Sequence, residues 1–383
     1  MLYLFGYSVK TSMSSISIVR MVPSARFMTS ETFSDKILAW FHVHGRHDLP
    51  WQQDKTLYRV WVSEIMLQQT QVATVIPYYT RFMERFPDVE GLAKADEDAV
   101  LHLWTGLGYY ARARNLHKAA KIIQRQYNGK FPDTVEALAE LPGIGLSTAG
   151  GIIASAYNKR AVILDGNVKR VLCRYHCVEG DPGQTETGKK LWSMADQHTP
   201  QENCADYNQA IMDLGASLCS RSRPACGLCP LADDCEANRR NITSEFPQKK
   251  KKKAIPVKST TMLVLQSPDT SKVLLEKRPP TGIWGGLWSL PEIPAGDSPQ
   301  SFLMVNGMRQ SGRPETWQPI RHTFSHFHLD ITPMLITLEV PRNTAMEKGR
   351  WHWYDLANPG QLGLAAPVKR LLDALSDRIE SKL

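Results

Sequence analysis

Two carboxylates in the first half of the chain lie in contexts that suit acid–base chemistry. Glu64 is in a predicted helix from Tyr58 to Thr70, one turn beyond the apolar Val60 and Trp61. A carboxyl against an apolar surface resists ionisation, so its pKa rises and it can carry a proton near neutral pH. The alternative is an ordinary solvated glutamate.

Asp165 is the second carboxylate, placed between the apolar segment 161–164 and a predicted helix. An aspartate in such a position commonly caps the helix by accepting hydrogen bonds from its free amides. The other interpretation is that it faces a sugar, as one of two carboxylates does in glycoside hydrolysis.

A helix, a glycine hairpin and a second helix precede Asp165. Gly143 and Gly145 lie in Leu-Pro-Gly-Ile-Gly, and the second helix begins near Ser147. Glycines can adopt angles barred to other residues, and amides at a helix start bind anions, so the hairpin suits a DNA phosphate. An ordinary helical corner is the alternative. The predicted DNA-binding residues here are Gly143, Gly145, Ser147, Asn167 and Lys169.

Four cysteines with spacings of six, two and five intervening residues form a candidate metal site. They are Cys219, Cys226, Cys229 and Cys235. Four thiolates can bind zinc or an iron–sulfur cluster. The odd total of seven cysteines, without a secretory signal peptide, argues against a disulfide framework.

A glycine-rich turn at 104–108 carries Tyr109 and opens a helix with basic side chains. An aromatic residue at a turn suits a wedge that stacks on bases, while cations hold phosphates. A solvated basic face is the usual alternative. The basic residues are Arg112, Arg114, Lys118 and Lys121.

Composition narrows the class of protein without naming a substrate. The chain has 383 residues, 42% hydrophobic and 22% charged, with a formal net charge of +8. This length allows two or more domains, and no apolar run approaches the roughly 18 residues of a membrane span. The basic balance permits nucleic acid as a partner but does not establish it.

The hairpin with its downstream aspartate resembles the helix-hairpin-helix DNA glycosylases, an endonuclease III-like superfamily. Leu-Asp-Gly-Asn-Val at 164–168 and Ser-Glu-Ile-Met-Leu-Gln-Gln-Thr at 63–70 resemble the MutY family of adenine glycosylases within it. The resemblance runs from about residue 30 to near the end of the chain. It implies that Glu64 is the catalytic acid and that Asp165 stabilises the cationic sugar.

The same resemblance assigns further roles. It places Gln69 and Thr70 beside an oxidised guanine and makes Tyr109 a stacking residue. The cysteine spacing resembles the 4Fe-4S loop of endonuclease III and MutY, which implies one 4Fe-4S cluster at 219–235.

Beyond residue 257 the pattern changes from helical to strand-like. We predict strands at 261–266, 272–278, 327–332 and 334–340, and a last helix at 367–383. The segment 282–291 resembles the entry to a Nudix fold, but 299–312 lacks the acidic residues that Nudix hydrolysis requires. Phe324, Ser325 and His326 resemble the MutY element that reads the oxidised guanine.

These observations divide the chain into four parts. Residues 1–30, without an acidic residue before Glu31, are a disordered extension that is an untranslated gene start or a transit peptide. Residues 31–240 form a mainly α glycosylase domain, 241–257 a lysine-rich linker, and 258–383 an α+β Nudix-like recognition domain. We expect a cytoplasmic, nucleoid-associated protein if bacterial, and a mitochondrial or nuclear one if the extension is a transit peptide.

The predicted function is hydrolysis of the N-glycosidic bond of adenine mispaired with 8-oxoguanine or guanine in double-stranded DNA, by a monomer. Two alternatives remain. An endonuclease III-like enzyme that also cuts the strand requires a lysine where this chain has Ser147. A non-catalytic DNA-binding module would not need both Glu64 and Asp165.

Overall fold

The structure, a computed structural model, describes residues 31–248, 254–339 and 349–381. The interpretation of residues 1–30 and the whole lysine run at 249–253 lie outside the described residues. Throughout the described ranges, every helix is too short or too polar to cross a membrane.

Residues 33–239 are helical, in agreement with the predicted glycosylase domain. A short 3-10 helix at Cys226–Leu228 lies in the cysteine loop. The α-helices are α1 (Phe33–His44), α2 (Pro50–Gln53), α3 (Leu57–Leu67), α4 (Val72–Arg85), α5 (Val89–Lys94), α6 (Glu97–Trp104), α7 (Ala111–Gln126), α8 (Val135–Ala139), α9 (Leu146–Tyr157), α10 (Gly166–Tyr175), α11 (Thr185–His198), α12 (Cys204–Ser217) and α13 (Glu236–Arg239).

The C-terminal part is a mixed sheet with two helices. The strands are β1 (Val257–Gln266), β2 (Lys272–Lys277), β3 (Trp288–Ser289), β4 (Glu292–Pro294), β5 (Gln310–Thr316), β6 (Ile320–Thr323), β7 (His328–Leu338) and β8 (Trp351–Asp355), and the helices are α14 (Pro299–Val305) and α15 (Ala366–Glu380). The main strand order is β3-β2-β1-β7-β5, with β4 paired to β1, β6 to β7 and β8 to β2. This is the α+β domain that the sequence predicts.

Two of the predicted strands are in fact one. β7 runs without a break across Pro333, because β1 pairs with it in parallel from Val257 opposite His328 to Gln266 opposite Thr337. Pro333 has no amide to donate, but its carbonyl accepts a hydrogen bond from Trp317 at 2.9 Å. The predicted break at residue 333 is therefore wrong.

The centre of the sheet is buried on both faces. In β1, Met262 and Val264 join one core cluster, while Leu263 and Leu265 join another beneath α14. A strand covered on both faces needs apolar residues at consecutive positions, which explains why the run at 262–265 does not alternate with polar residues.

The helical part and the sheet share one of these cores. A single cluster of buried residues contains Leu101 and Trp104 of α6 together with Leu287 and Leu364 of the C-terminal part. The chain from Phe33 onward accordingly packs as one compact unit. The sheet domain is thus built onto the helices that carry the candidate site.

Candidate active site

Glu64 lies on α3, whose first turn is capped by the Thr56 hydroxyl, an acceptor for the Arg59 amide at 3.2 Å. Its neighbours Trp61, Ile65 and Met66 are buried, and its carboxyl lies against α9. A methyl group added at Gly151 would come within 3.3 Å of Glu64 Oε2. The helix–helix contact therefore fixes the position of this carboxyl.

The pKa of Glu64 is raised to about 7, mainly by burial and also by the negative charge of Asp165. The residue nevertheless retains some accessible surface. A carboxyl with this pKa is protonated in a large fraction of molecules at neutral pH and can still be reached by a substrate.

Asp165 caps α10, as the simpler of its two interpretations predicts. Its Oδ1 accepts from the amides of Asn167 at 3.0 Å and Val168 at 2.8 Å, and its Oδ2 accepts from Asn167 Nδ2 at 3.0 Å. Burial raises the pKa of Asp165, while these hydrogen bonds and the charge of Arg170 act in the opposite direction. The cap does not conflict with a catalytic role, because the same contacts hold the carboxylate in one orientation.

Two further contacts fix the segment around Asp165. The Ser147 hydroxyl accepts from the Leu164 amide at 2.9 Å, which joins the start of α9 to the residue before Asp165. Arg170 donates to Asn167 Oδ1 at 2.9 Å and to the Cys219 carbonyl at 2.7 Å. A continuous set of hydrogen bonds thus links Asp165 to the cysteine loop, and the sequence alone gave no signal for the part that Arg170 plays.

Among the residues predicted to bind DNA, several have internal partners. Ser147 and Asn167 make the bonds just described, and Lys169 Nζ donates to the Pro182 carbonyl at 3.3 Å. These bonds position the site and neither establish nor exclude contact with DNA. The assignments of Ser147, Asn167 and Lys169 remain predictions.

The hairpin between α8 and α9 has the predicted form, with one difference. Gly143 has φ of +81°, and a Cβ there would lie 2.8 Å from the Asn115 Cβ, so only glycine fits. Gly145 has φ of −92° and ψ of 169°, an extended conformation that any residue adopts, with open space where a Cβ would lie. Gly145 therefore makes no use here of the backbone angles that glycine alone adopts readily.

Gln68 is a positioning residue that the sequence did not reveal. Its amide nitrogen Nε2 donates to the Gly143 carbonyl at 3.3 Å and to the Thr148 hydroxyl at 3.2 Å. The end of α3 is thereby joined to the hairpin. In the sequence it was only one of several polar residues that follow the apolar part of α3.

Gln69 and Tyr109 both lie at the tips of turns. Gln69 has φ of +58° and Tyr109 φ of +49°, in the left-handed region that non-glycine residues seldom adopt. Both side chains are exposed, Tyr109 to 51%. Thr70 is held internally, because its hydroxyl accepts from Arg112 Nη2 at 3.1 Å.

Two of the arginines after Tyr109 are not on a solvated basic face. Arg112 is buried, with backbone carbonyls among its acceptors, and Arg114 donates to the Gly285 carbonyl of the C-terminal part. Their guanidinium groups already have protein partners, and the assignment of these two cations to phosphates remains a prediction.

The four cysteines of the loop line one cavity next to α10. Arg174, also buried, donates to Cys219 Sγ at 3.3 Å and to the Ser220 carbonyl at 2.7 Å. Among the described residues, no three thiol, imidazole or carboxylate groups converge as ligands of a single ion. Four thiols that line one cavity are a donor set that suits one metal group, zinc or an iron–sulfur cluster.

Ser325 and His326 lie at the tip of the hairpin between β6 and β7. Both are exposed, and the contact between Ser325 Oγ and His326 Nδ1 is long, at 3.4 Å. Behind them Phe324 stacks on Phe327 with ring centroids 4.5 Å apart, beside Trp284 at 5.4 Å. A rigid aromatic base therefore carries two polar side chains that are available to a partner.

The fold and this pair of carboxylates define a class of protein, the base-excision DNA glycosylases. The HhH-GPD superfamily of base excision DNA repair proteins matches residues 62–197, and the NUDIX domain family matches residues 261–374. A solved thermostable thymine-DNA glycosylase is similar at 27% identity, with a TM-score of 0.50, over 54% of this chain and 95% of that chain.

Relatives that align over most of the chain identify the family within this class. The adenine DNA glycosylase of Buchnera aphidicola subsp. Schizaphis graminum is 41% identical over 346 residues, covering 90% of this chain and 99% of the relative. The human adenine DNA glycosylase is 34% identical, over 83% of this chain and 70% of the relative. The chain belongs to the adenine DNA glycosylase family, and it is a hydrolase of base excision repair, as the sequence predicts.

Proposed function

We propose that the protein removes adenine mispaired with 8-oxoguanine, and with lower preference adenine opposite guanine, from double-stranded DNA. The observation that carries the chemical part of this proposal is the carboxyl of Glu64, whose pKa near 7 lets it act as an acid beside an oriented second carboxylate. Adenine must leave the helical stack to reach these groups, at a cost of a few kcal/mol that contacts to the duplex offset.

In the proposed reaction Glu64 donates its proton to the adenine ring. The bond between the base nitrogen and the sugar carbon then breaks, and its electron pair leaves with the base. The Asp165 carboxylate faces the resulting cationic sugar and stabilises it. Water attacks the sugar carbon and gives a proton to the ionised Glu64, so the products are free adenine, an abasic site and a regenerated acid.

We further propose that the enzyme does not cut the strand. Strand cleavage of the endonuclease III type needs an amine nucleophile at the position of Ser147, and the hydroxyl there already accepts a hydrogen bond from Leu164. A single chain supplies both carboxylates and the hairpin, which supports action as a monomer. Light scattering of the purified protein, free and bound to DNA, tests that assignment.

Cys219, Cys226, Cys229 and Cys235 are proposed to hold one 4Fe-4S cluster. When bound, such a group would crosslink the loop 219–235. Burial raises the pKa of the Cys229 thiol to about 11, so its thiolate depends on the positive charge of the metal. Iron and zinc analysis of anaerobically purified protein tests this, with Cys229→Ser expected to lose iron and Cys177→Ser, which lies outside the loop, expected to keep it.

The deciding experiment uses duplexes that contain adenine opposite 8-oxoguanine, guanine or thymine. Free adenine is measured directly, and strand breaks are measured with and without alkali, which cuts abasic sites. We expect adenine release fastest opposite 8-oxoguanine, with strand breaks only after alkali. Breaks without alkali would identify a strand-cutting enzyme, and binding without adenine release would identify a non-catalytic module.

A further inference from the structure

We propose that Arg112 is a positioning residue, which holds the turns carrying Gln69 and Tyr109 at a fixed separation so that both can enter the duplex. This inference rests on the proposed function, in which these two side chains contact DNA. It assigns Arg112 to neither catalysis nor phosphate binding.

One edge of the Arg112 guanidinium closes the end of α3. Its Nη1 donates to the carbonyls of Ile65 at 3.0 Å, Met66 at 2.6 Å and Gln68 at 2.7 Å. The last carbonyls of a helix have no partner within the helix. Arg112 supplies that partner from α7 and so fixes the point at which the chain leaves α3 toward Gln69.

The second terminal nitrogen of Arg112, Nη2, donates hydrogen bonds to both turns. Nη2 donates to the Thr70 hydroxyl at 3.1 Å and to the Gly108 carbonyl at 3.1 Å. The acceptors of this one guanidinium therefore include the residues on each side of Gln69 and the residue just before Tyr109. A planar fork of donors can make this set of bonds, whereas the single ammonium group of a lysine cannot.

Both residues at the tips of the turns are held in a rare backbone conformation. Gln69 and Tyr109 have positive φ, a conformation that is unfavourable for a non-glycine residue unless its surroundings impose it. The guanidinium carbon of Arg112 also lies 5.6 Å from the centroid of the Tyr109 ring. The bonds from Arg112 thus act on the conformations that direct these two side chains outward.

A purely structural role for Arg112 and a positioning role predict different losses of activity when Arg112 is changed. Arg112 is only 8% exposed, and losing its bonds would leave several carbonyls unpaired, which lowers stability in any case. A structural role would lower activity by the same factor whether or not the tip side chains are present. A positioning role lowers activity only when there are side chains to position.

The test is a cycle of variants in the full-length protein. Arg112→Lys is made in the wild-type chain and in a chain that already carries Gln69→Ala and Tyr109→Ala, and Arg125→Lys on the exposed end of the same helix is the matched control. Adenine release is followed with enzyme in excess. A second measurement follows the fluorescence of 2-aminopurine beside the mispair, which increases when bases unstack on binding.

In the wild-type background we expect Arg112→Lys to reduce both the rate of adenine release and the fluorescence change by about tenfold. Small displacements of positioning groups have effects of this size. In the background without the two tips we expect a further change of less than about twofold, the limit of additivity for independent sites. Arg125→Lys should match its parent.

The proposal would be overturned if Arg112→Lys lowered adenine release and the fluorescence change equally in both backgrounds. It would also be overturned if neither quantity fell in the wild-type background. A variant that is partly misfolded does not obscure the result, because it lowers both backgrounds by the same factor. If the wild-type chain unstacks the duplex but releases no adenine, the proposed function fails, and the fluorescence cycle alone then decides the role of Arg112.

Discussion

Two regions of the molecule differ in how firmly their polar side chains are held. The two carboxylates of the helical domain are fixed by protein contacts, whereas the two polar residues of the β6–β7 hairpin are exposed. Asp165 accepts three hydrogen bonds from Asn167 and Val168, and Glu64 lies against Gly151 of α9. Ser325 and His326 are exposed and share one long contact. One region is oriented before any DNA arrives, while the other has its polar groups open to a partner.

This difference matches what each region is proposed to do. Groups that stabilise developing charge are most effective when they are already oriented in a site that excludes water. Groups that recognise the base opposite adenine need only bind the correct mispair better than the wrong one. Variants in the first region should therefore reduce the rate on every substrate, and variants in the second should change the ratio between substrates.

The largest effect is expected for Glu64→Gln. The amide keeps the size of the side chain and its packing on α9 but has no acidic proton to transfer, so adenine release should fall by about a thousandfold, within the usual range for a lost general acid. Glu84→Gln, on the exposed face of α4, is the matched control. Activity of Glu64→Gln within tenfold of wild type would remove Glu64 from the mechanism.

Asp165→Asn should lower the rate by about a hundredfold, because it removes the charge that faces the cationic sugar. Asparagine is also a good N-cap, so α10 should remain folded. Asp88→Asn is a matched control, since Asp88 caps α5 by accepting from Gly91 at 2.7 Å. An unchanged rate in Asp165→Asn would leave this residue with its capping role alone.

The same variant should alter the pH dependence of the reaction. The pKa of Glu64 is about 7, so the rate of the wild-type enzyme should fall as the pH rises through about 7 and the acid loses its proton. The negative charge of Asp165 contributes to this raised pKa. In Asp165→Asn this decline should begin at a lower pH. A pH profile of single-turnover rates for both proteins measures the shift, and coincident profiles would argue that the two carboxyls do not interact.

The raised pKa of Glu64 also has a cost in stability. Its pKa is near the ordinary glutamate value of 4.5 in the unfolded chain and about 7 in the folded chain. The unfolded state therefore loses its proton first, and the free energy of unfolding decreases as the pH rises between these two values. Glu64→Gln should be more stable than wild type by about 3 kcal/mol at pH 8 and by little at pH 4. Thermal unfolding at both pH values measures this, and equal gains would contradict the assigned pKa.

Much of the helical domain was predictable, because its signals are local. Apolar periodicity and glycines gave α3, the hairpin and α9, and the apolar residues next to Glu64 indicated its raised pKa. The contacts that hold the site were not predictable, since Gln68, Arg112 and Arg170 act on residues that are distant in sequence or in another element. Arg112 lies four residues before the buried Leu116, on the apolar face of α7, but this spacing does not show which acceptors its guanidinium meets.

The sheet domain was predicted less accurately for a similar reason. Whether a proline ends a strand depends on the neighbouring strand, and the parallel pairing of β1 with β7 across Pro333 is not written in the local sequence. The local sequence also does not show that Leu101 of α6 and Leu364 share one core. That shared core means that removing the C-terminal domain would expose apolar surface on the glycosylase domain, so point variants test recognition more cleanly than truncation does.

The smallest expected effect concerns the exposed hairpin tip. Alanine at both Ser325 and His326 should reduce the preference for 8-oxoguanine over guanine opposite adenine by about 2 kcal/mol, the scale of losing a good contact to a base edge. The rate on adenine opposite guanine should change little, because neither side chain touches the carboxylates. The measurement is the ratio of kcat/KM for the two duplexes, each followed by adenine release.

Met304→Ala provides the matched control, since Met304 is 77% exposed on α14 of the same domain and is assigned no role in recognition. A ratio that stays at the wild-type value in the Ser325 and His326 variant, with both rates intact, would mean that the hairpin tip does not read the opposite base. Discrimination would then have to come from Gln69, Thr70 and Tyr109, and the Arg112 variant should lower the ratio more than the hairpin variant does. If instead both rates fall together, the hairpin acts on binding of any duplex, and the contrast between an oriented catalytic region and a separate reading region would no longer describe this enzyme.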